Sequence, residues 1–125
     1  LARPVLGARP DPPGPWTYAA DEAARLGIGG NVYAKYQWAA YLHFRNLPVR
    51  VLIDAHGDPF GPRTWSDYMK LTTLQPGWLA ALGSERINAV FAEDQSPIAQ
   101  ALRIAPDWKV SASNGGVDVF ERTQK

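Results

Sequence analysis

The sequence has no cysteine among its 125 residues. This absence excludes a disulfide framework, a thiolate metal site and a cysteine nucleophile. An excess of either charge is also lacking, because 13 basic and 12 acidic residues leave a net charge of +1. A nucleic-acid-binding domain normally carries a basic face or stripe, whereas neither sign of charge gathers in a block here. We therefore expect no nucleic acid as a partner.

Long apolar runs are absent as well. No stretch approaches the roughly 20 consecutive apolar residues that a membrane span needs, and no charged-then-apolar signal sequence follows Leu1. The chain begins without Met, and residues 1–15 contain five prolines, which are incompatible with a helix there. We expect residues 1–15 to be a proline-rich linker, residues 16–125 to be a single α/β domain, and the missing part of a longer protein to lie upstream.

What the chain does contain is sufficient for a folded core. Apolar residues make up 46% of the sequence and include five tryptophans. A chain of this length buries roughly two-thirds of its unfolded surface on folding. The composition therefore predicts one globular domain that needs no covalent cross-links.

Apolar periodicity predicts helices and strands that alternate along the chain. The predicted helices cover residues 19–26, 37–46, 64 onward, 78–82 and 97 onward, and the predicted strands cover residues 31–36, 49–54, 88–93, 108–113 and 117–122. Asn114, Gly115 and Gly116 between the last two strands are typical of a hairpin turn. The alternation predicts an α/β fold with a three-layer, Rossmann-like, mostly parallel sheet of about five strands and a C-terminal antiparallel hairpin.

Residues 49–54 are a short, nearly continuous apolar run that ends in an acid. Such a run is typical of a central strand buried on both faces. In a parallel sheet, the loop that leaves the carboxyl end of a strand is where ligands usually bind. The candidate binding residues at this crevice are Asp54, His56, Asp58 and Arg63 from that loop, with Tyr36 and Trp38 from the end of the first predicted strand.

Two kinds of chemistry are open to Asp54, His56 and Asp58. Carboxylate and imidazole are suitable ligands for a divalent metal. The same three side chains could also carry acid/base chemistry, with His56 titrating near neutrality. The simpler interpretation is that Asp54 hydrogen-bonds the loop backbone and the other two are ordinary turn residues. We favour the simpler interpretation and predict no catalytic residue, no bound metal and no cofactor.

Seven segments together resemble a known family of membrane proteins. They are residues 32–42, 51–58, 65–68, 75–78, 87–90, 107–110 and 117–122. The pattern is similar to the C-terminal soluble domain of bacterial polytopic membrane proteins that resemble dolichyl-phosphate-mannose-dependent mannosyltransferases. The resemblance implies a multi-spanning region upstream in the same chain and a position on the extracytoplasmic side of the membrane. It also implies that the catalytic acid of the transferase lies outside this sequence.

The resemblance and the composition lead to one expected function and two alternatives. We expect a non-catalytic accessory domain of a glycosyltransferase-like protein, binding a glycan acceptor or a lipid-linked sugar. The first alternative is a small metal-dependent or acid/base hydrolase that uses Asp54, His56 and Asp58. The second is a structural or protein-interaction module.

Overall fold

The computed structural model describes residues 14–35, 47–51, 62–113 and 116–123. Within these ranges the chain is an α/β domain of four helices and five strands. The helices are α1 (Gly14–Leu26), α2 (Pro62–Thr73), α3 (Trp78–Ser84) and α4 (Pro97–Arg103). The strands are β1 (Gly30–Tyr33), β2 (Val49–Val51), β3 (Ala89–Glu93), β4 (Trp108–Ser113) and β5 (Val117–Arg122).

The five strands form one mixed sheet in the order β2-β1-β3-β5-β4. β1 pairs in parallel with β2 and β3, whereas β5 pairs antiparallel with β3 and β4. The prediction of a mostly parallel sheet was therefore wrong, although the C-terminal hairpin is confirmed. The physical reason lies in the crossover from β3 through α4 to β4, which leaves a space one strand wide. β5 turns back from β4 and fills that space, so it pairs antiparallel with a strand on each side.

The strand predicted to be central lies at the edge of the described sheet. β2 pairs with β1 alone, and the side chain of Arg50 in its middle is exposed. A charged side chain needs water, which an edge strand provides and a doubly covered strand does not. The strand with the most complete burial is β3, where the first four residues are at most 5% exposed.

The sheet separates two hydrophobic layers, and alternate residues of each strand face opposite sides. On one side, α1 packs Trp16 and three alanines against the sheet. On the other side, α2, α3 and α4 supply Leu71, Leu82 and Leu102. β3 divides its side chains between the two, since Phe91 joins the first layer and Val90 the second. Each large apolar side chain buried in this way contributes about 1.5–3 kcal/mol to folding.

Three helices end on the same backbone arrangement, in which the residue after the cap adopts a left-handed conformation. After α1 this residue is Gly27, with φ of +71°, and the amide of Ile28 donates to the carbonyl of Ala23 at 3.0 Å. After α2 and α3 the position is taken by Leu74 and Arg86, with φ of +52° and +56°. Gly27 confirms the predicted stop, whereas the two other positions carry side chains where glycine is usual.

Helix starts follow local chemistry too. Ser96 caps α4, because its Oγ accepts a hydrogen bond from the amide of Ala99 at 3.3 Å and Pro97 occupies the first turn, as predicted. α1 begins at Gly14, five residues before its predicted start, and α2 begins at Pro62 rather than near residue 64. Among the residues that the structure describes, none of the helices has both the length and the apolar character to cross a bilayer.

Candidate functional site

The strand order creates a switch point between β1 and β3. The chain places β2 on one side of β1 and then β3 on the other side, and all three run parallel. In open sheets of this kind, the crevice outside the carboxyl ends of the two strands at the switch point is the usual ligand site. The candidate site is therefore at the ends of β1 and β3, and β2 flanks it.

A cleft of about 560 Å³ opens at this place, and we call it the carboxyl-end cleft. It is lined by Trp16, Lys35, Thr72, Glu93, Asp94, Gln95, Ser96, Pro97, Gly116 and Val117. Ligand pockets in proteins usually measure roughly 300–1,000 Å³, so the cleft has room for a small organic molecule. A narrow extension of about 20 Å³ continues beneath it toward Tyr33, Phe91 and Ile98.

One wall of the cleft is the turn at residues 94–96, whose backbone is joined to the fold by several hydrogen bonds. The amide of Asp94 donates to the carbonyl of Gly116 at 2.9 Å, which joins the turn to the start of β5. The amide and the hydroxyl of Ser96 both donate to the carbonyl of Glu93, at 2.9 and 2.7 Å. These bonds hold the backbone of the wall, and the side chains of Glu93 and Asp94 take part in none of them.

The charged side chains of the cleft are indeed available. Within the described part of the chain, the side chains of Lys35, Glu93 and Asp94 make no hydrogen bond or ion pair with one another or with any other residue. Two carboxylates and one ammonium give the lining a small negative charge. Side chains of this kind accept and donate charge-assisted hydrogen bonds, which are stronger than neutral ones.

The floor of the cleft contains two hydroxyl groups that bond to each other. The phenol of Tyr33 and the hydroxyl of Thr72 share a hydrogen bond of 2.6 Å, and the ring of Tyr33 lies 5.7 Å from that of Tyr68. Tyr33 is only 2% exposed. Burial raises the pKa of its phenol well above the ordinary value, because the phenolate would lose its hydration, and the bond to Thr72 opposes this only in part. Tyr33 therefore stays protonated at neutral pH.

A second cleft of about 590 Å³ lies at the opposite, amino end of β1 and β3. Its polar side chains are mostly used to hold the structure together. Asn88 donates to the carbonyl of Gly29 at 2.8 Å, Arg122 donates to the carbonyl of Ile87 at 2.7 Å, and Glu121 accepts from Ser111 at 2.6 Å. The contrast with the carboxyl-end cleft identifies the latter as the better candidate for a ligand site.

The candidate residues from the sequence fall where the structure does not test them. Tyr36, Trp38, Asp54, His56 and Asp58 lie outside the described residues. Arg63 lies within α2, and its side chain is likewise outside the described part. All six stay predictions. The described end of β2 at Val51 lies on the same edge of the sheet as the end of β1, because Val51 pairs with Val32.

Sequence reasoning missed the residues that do line the carboxyl-end cleft. It placed Lys35 inside the first predicted strand and treated Glu93 only as the end of the third, whereas the structure ends β1 at Tyr33. The signal that could have found them is the same rule that singled out Asp54, applied to the other parallel strands. Thr72 carries no such signal, since it reaches the site from a helix.

The side chains that line this cleft are suited to hydrogen bonding. Among the residues that the structure describes, no three histidines, cysteines or acids are grouped in a way that could hold a metal ion. The cleft lining combines an ammonium, two carboxylates, an amide and two hydroxyls. This set matches a ligand with several hydroxyl groups, each of which can both donate and accept.

Comparison with known proteins adds no relative. No protein-family model matches the chain, and no curated protein and no solved structure is significantly similar to it. The carboxyl-end cleft therefore has to be interpreted from its own residues.

Proposed function

We propose that this domain is a non-catalytic binding module that holds the sugar part of a glycan acceptor or a lipid-linked sugar in the carboxyl-end cleft. The observation that carries the proposal is the set of charged side chains in that cleft, Lys35, Glu93 and Asp94, which have no partner among the described residues. Glu93 is exposed and Lys35 and Asp94 are half-buried, so all three are hydrated in the free chain and can exchange that water for the hydroxyl groups of a polar ligand.

The cleft matches a sugar in chemistry as well as in size. Carboxylates accept hydrogen bonds from sugar hydroxyls, and the ammonium of Lys35 donates to them. The net negative charge of the lining favours a neutral or amino sugar over an acidic one. The hydrogen-bonded floor at Tyr33 and Thr72 reduces the entropy that binding would otherwise cost.

The larger context of the proposal comes from the family resemblance of the sequence. A domain similar to the C-terminal part of mannosyltransferase-like membrane proteins would lie on the extracytoplasmic side, joined to transmembrane segments upstream. In that position it would present the bound sugar or acceptor to the membrane-embedded transferase.

Calorimetric titration of the 125-residue chain with mannose, glucosamine and a short-chain polyprenyl phosphomannose tests the binding. We expect saturable binding of at least one of them, and a loss of about tenfold in affinity for Glu93→Gln and for Lys35→Met, since each removes a charge-assisted hydrogen bond. Asp107→Asn and Lys109→Met are the matched controls, because both side chains are exposed and neither lines the cleft. The absence of saturable binding, or equal losses in the controls, would overturn the proposal.

The membrane context is tested separately on the native protein. An antibody against the domain should detect a band much larger than 13.7 kDa that stays in the membrane fraction after an alkaline wash. A small band released by the wash would contradict the transferase context while leaving the sugar-binding test unaffected.

A further inference from the structure

We infer that Arg103 and Asp118 are positioning residues for the carboxyl-end cleft, holding the turn at residues 94–96 in place from behind. The inference rests on the proposed function, because it concerns the wall of the same site. Neither side chain lines the cleft itself. Their effect on a ligand would therefore be transmitted through the turn.

The contacts form a short chain from the sheet to the wall. Asp118 of β5 is 1% exposed, and its Oδ1 accepts a hydrogen bond from the hydroxyl of Ser113 at 2.7 Å. Its Oδ2 forms an ion pair with Nη2 of Arg103, at the end of α4. The same Nη2 donates to the backbone carbonyl of Asp94 at 3.1 Å. One guanidinium nitrogen thus connects a buried carboxylate of the sheet to the turn.

Stability alone is a poor explanation for this arrangement. Removing a carboxylate from water costs more than an ion pair usually returns, and apolar side chains of similar volume often stabilise as well or better. The ion pair holds the guanidinium of Arg103 in one position, where it can bind one particular backbone carbonyl. That carbonyl belongs to Asp94, whose own side chain is one of the available groups in the cleft.

Among the contacts described, the turn is also attached to the sheet by the bond from the Asp94 amide to the Gly116 carbonyl and by the two bonds from Ser96 to the Glu93 carbonyl. Without the guanidinium, those bonds and the cap of α4 would remain, but the carbonyl of Asp94 would lose the donor described for it. The sheet pairing of β3 with β5 does not depend on Arg103. Loss of the ion pair should therefore loosen the wall while leaving the strands in place.

The double variant Arg103→Gln/Asp118→Asn tests the inference without leaving a buried charge unpaired. In the ligand-free 125-residue chain, we expect the amides of Asp94 and Ser96 to exchange with solvent about tenfold faster, because a charge-assisted contact is lost. The amide of Phe91 in β3 should be unchanged. The single variant Arg103→Lys should keep most of the protection, since one nitrogen of Arg103 makes both contacts and a lysine supplies one nitrogen. Arg25→Gln, which breaks the exposed pair between Arg25 and Glu22, is the matched control.

Two outcomes would overturn the inference. Unchanged exchange at Asp94 and Ser96 would show that the turn holds without the ion pair, and equal acceleration at all three amides would show a purely global effect. Titration with the best-bound sugar should then show a several-fold weaker affinity for the double variant and near-normal affinity for Arg103→Lys. If the exchange pattern appears but the wild-type chain binds no sugar, the positioning role stands and the proposed function fails.

Discussion

Replacing Tyr33 by Phe removes one hydroxyl from the floor of the cleft and leaves the ring in place. The hydroxyl shares a 2.6 Å hydrogen bond with Thr72, and the ring packs against Tyr68. A hydrogen bond of this kind contributes about 1 kcal/mol to stability. At pH 8 the Tyr33→Phe variant should therefore unfold with a free energy about 1 kcal/mol smaller than that of the wild type.

The destabilising effect of this substitution should disappear as the pH rises to about 11. Burial raises the pKa of Tyr33 in the folded chain, so above the unfolded value of about 10 only the unfolded chain releases this proton. The stability that Tyr33 contributes is thus complete below pH 10 and is lost as pH rises toward the folded pKa, by about 1.4 kcal/mol for each pH unit. The variant lacks this loss, so the two proteins should have the same free energy of unfolding at roughly pH 11.

Urea unfolding followed by tryptophan fluorescence, at intervals from pH 8 to 11, measures this difference. Other groups that titrate in this range cancel when the two proteins are compared at each pH. Tyr18→Phe serves as the control, because Tyr18 is 38% exposed and its loss should change stability by less than about 0.5 kcal/mol at every pH. A stability difference between wild type and Tyr33→Phe that stays constant up to pH 11 would refute the burial of this phenol.

Further substitutions probe the backbone and the core by the same urea assay. Arg86→Gly should raise the free energy of unfolding by about 0.5–1 kcal/mol. At φ of +56° the backbone strain of a non-glycine residue is larger than the stability lost through the greater conformational freedom of glycine in the unfolded chain. A decrease would show that the guanidinium makes a stabilising contact. Gly30→Ala should lower the free energy of unfolding by about 1–2 kcal/mol, because φ is +81° and the new Cβ would lie 2.9 Å from Oδ1 of Asn88. Gly83→Ala, in a helix with open space around it, should instead stabilise by about 0.5–1 kcal/mol. Leu102→Ala should cost about 2–5 kcal/mol, because Leu102 is fully buried between α4 and the sheet; a loss below 1 kcal/mol would contradict that packing.

The local features of this fold could be predicted because each depends on neighbouring residues. Ser96 followed by Pro97 marks the start of α4, and Gly27 marks the end of α1, by chemistry contained in one turn of chain. The hairpin of β4 and β5 follows from two alternating strands around a glycine-rich turn. Each of these elements has the identity expected from the sequence, and the boundaries differ by a few residues at most in all but α1.

The order of the strands could not be predicted, since it depends on partners far apart in the chain. The apolar run after Pro48 suggested a central strand, and Arg50 within it was the sign of an edge that the pattern outweighed. Which strand of the hairpin would pair with β3 was equally open, because both alternate in the same way. The crossover from β3 to β4 leaves a space one strand wide, and this decides that β5 pairs with β3.

The sequence predicted a site beyond the carboxyl end of the strand at residues 49–54, and its six candidate side chains stay predictions because the structure does not describe them. The carboxyl-end cleft lies where the rule that ligands bind beyond the carboxyl ends of parallel strands would place a site. Its lining comes from α1, α2, β3, α4 and β5, from the segment after β1 and from the turn at residues 94–96, so that Lys35, Thr72 and Glu93 meet only in three dimensions. No spacing in the sequence brings these residues together. That Lys35 and Glu93 have no partner among the described residues can be seen only in the structure, where neighbouring polar groups are hydrogen-bonded.

The position of β5 has a consequence for how the domain is made. The ribosome produces β5 after the other four strands, yet β5 lies inside the sheet and is bonded to a strand on each side. Until residue 122 has been synthesised, one edge of β3 is an unpaired row of amides and carbonyls beside its most apolar side chains. Such an edge pairs readily with strands of other molecules. We expect a nascent chain stalled before residue 117 to aggregate or recruit a chaperone rather than form a smaller version of the same fold.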